Sequence, residues 1–171
     1  MRSTTFTNTL IMSLVCGLSL GPAAAQTVPE GCFVREYDAA HLAAHPNQFV
    51  ERLALNFDPE PHATSRITEV VIIADMASQG RALTGGFAGL RMTEIGGNFA
   101  GPLQFGVECD GGSFDVVRYD GESLLIETEY VRVALEGCGG EINQSTSLAE
   151  IRGEATRYLL YRAHPSACEA N

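Results

Sequence analysis

The chain has 171 residues, 45% of them hydrophobic and 19% charged, which is the profile of an ordinary folded domain and excludes a disordered or collagen-like chain. All 11 basic residues are arginine, and tryptophan is absent. Without lysine there is no P-loop phosphate clamp, no pyridoxal Schiff base and no kinase-type ATP site.

Residues 1–25 read as a secretory signal. Arg2 gives the positive start, Leu10 to Leu20 the apolar stretch, and Ala23-Ala24-Ala25 the small residues that a signal peptidase reads. The apolar stretch is too short to cross about 30 Å of hydrocarbon as a helix. Residues 26–171 are then expected to form a single disulfide-bonded β domain. Loss of the signal removes Arg2 but no acidic residue, leaving ten arginines against 21 carboxylates, a charge of −11. That excess repels nucleic-acid phosphates and an anionic membrane surface, so neither is an expected partner. A cationic protein would be attracted.

The expected location is the periplasm or the extracellular space. Cys32, Cys109, Cys138 and Cys168 remain after processing, an even number suited to an oxidising compartment. Among three possible pairings, Cys109–Cys138 and Cys32–Cys168 are favoured. The first pair follows two strands expected to run in the same direction, and the second ties the chain ends together. Zinc would want closely paired ligands, and no C-x-x-C occurs.

Asp38 is a good N-cap, Ala39 to Ala44 tolerate a helix, and Pro46 ends it after His45. From Gln48 onward the punctuation belongs to strands. Leu53, Leu55 and Phe57 alternate with polar or small neighbours, and Pro59 and Pro61 mark a loop. Val70 to Ala74 is apolar on both faces, as a central strand requires. Glycine doublets at 85–86, 96–97, 111–112 and 139–140, with Asp120-Gly121, mark turns. Leu103, Phe105, Val107 and Cys109 share a face, and Phe114 and Val116 repeat the pattern. In the run Glu122 to Leu135 the apolar residues change from even to odd positions, which demands a bulge or bend at Glu127 to Tyr130. A short helical turn is expected at Ser147 to Ile151 and a closing strand at Ala155 to Arg162. The fold class is therefore all-β: a small antiparallel barrel or sandwich of six to eight strands with one short N-terminal helix.

Two constellations carry candidate chemistry. Asp38, His41 and His45 fall on one side of the short helix, where a carboxylate and two imidazoles would converge on zinc or copper. The competing reading makes Asp38 a cap and the histidines polar-face residues. Arg118 shares strand parity with Phe114 and Val116, placing a guanidinium at the mouth of the core. Arg118 and Arg132 would there bind a carboxylate or sulfate. The competing reading is an ion pair with Glu127 or Glu108, or a strand end in solvent. No catalytic residues are assigned and no cofactor is expected. Gly121-Glu122-Ser123 lacks the second glycine of a hydrolase elbow, Gly85 to Gly89 lacks a βαβ setting, and Asp110 to Asp115 lacks the closing glutamate of a calcium loop.

The stretch Val107-Glu108-Cys109-Asp110-Gly111-Gly112, with Phe114-Asp115-Val116 and Glu122 to Ile126, resembles the start of periplasmic lysozyme-inhibitor β-barrels of the C-type class. The resemblance implies a small exported barrel that inserts a loop into a lysozyme cleft. The Ser-Gly-x-x-Tyr inhibitory segment of that family has no counterpart here, and Ser145 to Leu148 differs from it. The functional expectation is an exported, non-enzymatic binding protein for a small ligand or a cationic protein partner. The alternatives are an inhibitor of a cationic cell-wall hydrolase, a metal-binding protein using the Asp38 helix, and a structural envelope component.

Overall fold

A computed structural model describes residues 27–59, 67–135 and 145–169. The expected signal, residues 1–25, and Cys138 lie outside the described residues. The elements in chain order are β1 (Gly31–Glu36), α1 (Ala39–Ala44), β2 (Val50–Asp58), β3 (Glu69–Met76), α2 (Gly80–Thr84), β4 (Arg91–Gly101), β5 (Gln104–Val107), β6 (Gly112–Tyr119), β7 (Ser123–Ala134), β8 (Ser145–Ser147) and β9 (Thr156–Arg162). A 3-10 turn, Pro165–Cys168, comes after β9.

All strand pairings are antiparallel. They run β1-β2-β3-β4-β5-β6-β7-β9 and back to β1, an eight-stranded closed barrel that carries β8 on the outside of the ring against β7. Closure leaves no unpaired edge within the ring. Of the two architectures the alternation allows, the barrel is the one formed.

The interior is packed with large side chains. Phe33, Phe49, Phe105, Phe114 and Tyr158 are all less than 2% exposed. Phe57 meets Phe105 edge-on at 5.0 Å, and Phe105 stacks on Phe114 at 5.4 Å. Tyr158 is tolerated there because its hydroxyl donates to the Leu148 carbonyl at 2.7 Å.

A second, smaller apolar cluster lies outside the ring. Cys32, Ala54, Ile73 and Cys168 form it, so the outer face of β1, β2 and β3 is covered by the C-terminal turn. The Cys32–Cys168 disulfide fastens that cover, in agreement with the pairing expected from the sequence. The cover also explains why β3 is apolar on both faces. Cys109 is disulfide-bonded as well. A disulfide is compatible with a periplasmic or extracellular setting. Among the described residues no helix is long and apolar enough to cross a membrane.

Two strand irregularities shape the outer surface of the barrel. Ser113 pairs with Tyr130 and Asp115 with Glu127, so β7 contains an extra residue between Glu127 and Tyr130. This is the bulge that the phase change demanded, and it leaves Glu129 and Tyr130 both exposed between buried Thr128 and Val131. Gly112 makes room for it: with φ at +75°, a Cβ there would collide with the Tyr130 carbonyl. The other irregularity lies in β6, where Val116 pairs with Ile126 but Arg118 pairs with Leu125.

The expected helical turn at Ser147 to Ile151 does not form. That stretch is the end of β8 and the turn after it, because the Ser147 hydroxyl accepts from the Ala149 N–H and the Thr156 hydroxyl accepts from the Glu150 N–H. The second helix is α2. It was hidden in the sequence by its five-residue length and its glycine start.

Candidate functional site

The extra residue in β7 and the position of β8 leave a concavity on the outside of the barrel. Its volume is about 510 Å³, and its walls come from α2, Phe87, the β7 bulge, β8 and the turn Ala149 to Arg152. Among the described residues three guanidiniums line it, those of Arg81, Arg132 and Arg152, with Glu129 as the one lining carboxylate.

Arg81 reaches the cavity from α2. Gln79, the residue before the helix, gives its side-chain N–H protons to the carbonyls of Leu42, His45 and Gln48, which locks α2 to the end of α1. Gly80 opens the helix with φ at +55°, where a Cβ would lie 3.0 Å from the Pro46 carbonyl. Arg81 then lies over the Phe49 ring at 4.3 Å and donates from Nη2 to the carbonyls of Ser147 and Ala149, at 2.6 and 2.7 Å. Its Nε–H is buried and has no acceptor among the described residues. Burial holds the Arg81 pKa below the ordinary guanidinium value. Tyr158 opposes that shift, and the positive charge of Arg152 reinforces it.

Arg132 enters from β7, one residue beyond buried Val131. It donates from Nη2 and Nε to Glu94 Oε2, at 3.0 and 3.3 Å. The Glu94 side chain is 4% exposed and that of Arg132 is 20% exposed. It thereby forms an ion pair with Glu94. Glu94 has the parity of core residue Met92 on β4, and only the direct pairing of β4 with β7, Thr93 against Ala134, reveals its role. Arg152 stands on the exposed turn after β8, and among the described residues no carboxylate pairs with it.

Arg118 does not join this cavity. The residue inserted at Val117 shifts its parity, so Tyr119 turns inward and meets Phe33 at 5.8 Å, while Arg118 is exposed. The expected inward guanidinium is corrected by that bulge. Arg118 lines a smaller recess of about 120 Å³, away from Arg132.

Asp38, His41 and His45 do share one side of α1, yet their donor atoms do not converge. Asp38 Oδ1 caps the helix by accepting from the His41 N–H at 2.7 Å. The imidazole of His41 stacks on Tyr37 at 4.7 Å and on His45 at 4.1 Å. His45 Nδ1 lies 2.8 Å from the His41 carbonyl. Stacked rings present faces to each other rather than nitrogens to a common point. Among the described residues no group of three or more His, Cys, Asp or Glu is arranged to hold a metal. The expected convergence is therefore replaced by a capped, stacked helix.

A larger groove, about 680 Å³, lies beside α1 between β1, β2 and β3. Both arginines that line it are held by carboxylates: Arg52 bridges Glu36 and Asp75 at 3.2 and 3.5 Å, and Arg91 meets Asp75 at 2.6 Å. The arginine-lined cavity differs in that, among the described residues, one of its guanidiniums, Arg152, has no carboxylate partner.

No family model, no curated protein and no solved structure matches the chain. The segment from Val107 to Ile126 runs from the end of β5 through β6 into the start of β7.

Proposed function

We propose that this is an exported, non-catalytic binding protein that takes a small ligand in the cavity between α2, β7 and β8. The observation that carries the reading is the contrast between the barrel interior, closed by Phe33, Phe105, Phe114 and Tyr158, and an outer cavity of about 510 Å³ lined by three of the 11 arginines. That volume falls within the range of small-molecule sites, roughly 300–1,000 Å³. Its lining offers guanidiniums, serine and threonine hydroxyls and two aromatic rings, groups suited to holding a ligand. The test is a fragment screen of mixed charge, followed by backbone amide chemical shifts. Ligands that move the amides of residues 81–87, 129–132 and 145–152 support the site. A screen in which no fragment perturbs those amides refutes it.

A second reading has a cationic protein, such as a cell-wall hydrolase, as partner. The excess of 21 acidic over 11 basic residues favours it. Unchanged lysozyme activity across a titration with the purified protein rejects it for that enzyme.

A further inference from the structure

The charges around the cavity are unequal, and their inequality specifies a ligand. Glu94 engages Arg132 through two hydrogen bonds. Two main-chain carbonyls engage Arg81. Arg152 is the guanidinium left facing solvent with no carboxylate partner among the described residues, beside the half-buried Arg81, whose Nε–H has no acceptor among them. Of the three guanidiniums that line the cavity, Arg152 is thus the one whose charge is met, among the described residues, neither by a carboxylate in an ion pair nor by hydrogen bonds to the main chain. A single anionic group next to Arg152 neutralises that charge and lowers the repulsion that Arg152 imposes on Arg81.

The rest of the cavity is not shaped for a bare ion. Phe87 and the half-exposed Tyr130 wall it, with Ala149 between polar neighbours. An inorganic oxyanion would leave most of about 510 Å³ and both rings in contact with water. Building on the binding role proposed above, we infer that the ligand is an organic monocarboxylate with an apolar or aromatic body. Its carboxylate pairs with Arg152, and its body lies against Phe87 and Tyr130. A guanidinium presents two parallel N–H donors to a carboxylate, a geometry that fixes the orientation of the ligand as well as attracting it.

The experiment uses 4-phenylbutyrate, the neutral 4-phenylbutyramide and sodium sulfate, each titrated into the mature chain at 150 mM NaCl with amide shifts as readout. The carboxylate is expected to bind at residues 81–87, 129–132 and 145–152, roughly tenfold more tightly than its amide, a difference of about 1.4 kcal/mol. Sulfate is expected to bind more weakly than either. Arg152→Gln should bring the carboxylate down to the level of the amide while leaving Tm unchanged, because the residue is exposed. Tyr130→Ala should weaken both organic probes alike.

Equal affinity for carboxylate and amide overturns the inference while leaving a binding cavity in place. So does sulfate binding as tightly as the carboxylate, or an Arg152→Gln protein that keeps the preference. Absence of any probe from the cavity overturns the inference for these ligands, and the mixed-charge screen then decides whether the broader binding role falls with it.

Discussion

Replacing Arg132 with methionine isolates the least replaceable charge in the fold. The substitution keeps the apolar stem but removes both donors to Glu94, whose side chain is 4% exposed. Breaking a fully buried ion pair from one side costs about 3–5 kcal/mol, because the remaining charge is left in a poor solvent. Arg132 is itself 20% exposed, so water reaches part of the vacated space and the lower end of that range applies, about 3 kcal/mol. For a domain of this size that is a fall in Tm of roughly 6–12 °C. Urea unfolding gives the free energy, provided the slope is unchanged. The Arg132→Met, Glu94→Met double variant removes the stranded charge as well and should lie within about 1 kcal/mol of the parent. The cycle then yields a coupling of at least about 2 kcal/mol. A single variant that loses less than about 0.5 kcal/mol, or a double variant that loses the sum of the two singles, refutes the account of Glu94 as a carboxylate that needs its arginine.

Three further outcomes are expected. Cys168→Ala opens a closure that spans 136 residues and should cost about 4–5 kcal/mol, read as a lower urea midpoint than that of the parent, both measured without reductant. Asp120 accepts from the Ser123 and Glu122 N–H groups and from the Ser123 hydroxyl, and these bonds hold its pKa below the ordinary 3.8. Its depressed folded-state pKa means that the charge stabilises the fold above the ordinary carboxylate range and ceases to do so as pH falls through the folded value. Asp120→Asn should accordingly be less stable than the parent at pH 7, with the gap in Tm closing in acid; a constant gap rejects the charge explanation. Burial holds the Tyr158 pKa well above the ordinary 10.0. A raised folded-state value keeps its contribution intact below pH 10 and removes it as pH rises further, so ionisation of Tyr158 should accompany alkaline unfolding in a phenolate absorbance titration. Tyr158→Phe should cost about 1 kcal/mol at pH 7 and carry the alkaline transition to higher pH.

Most of the barrel was legible because alternation records which face is buried. Leu53, Leu55 and Phe57 announced β2, and the change of phase within Glu122 to Leu135 announced the bulge in β7. The comparable event in β6 was silent. Val116, Val117, Arg118 and Tyr119 offer no apolar sequence that distinguishes a regular strand from one with an inserted residue, so Arg118 was assigned to the wrong side. For the cavity, the sequence signalled Arg132 alone. Arg81 and Arg152 sit on a five-residue helix and a turn, elements too short for periodicity, and they meet only because Gln79 and the β7–β8 pairing bring them together. Glu94 was invisible for another reason. A glutamate at a core parity reads as an interruption until the guanidinium on the paired strand β7 is known.

The C-terminal cover over β1, β2 and β3 makes maturation a matter of timing. Cys168 and its turn are synthesised well after Cys32 and Ile73, which they shield. During that interval a flat, greasy patch of sheet stays open to the surroundings, the kind of surface on which immature chains stick to each other. Oxidative capacity and holding chaperones around the growing chain should thus govern the yield of soluble protein more strongly than the final strength of the fold.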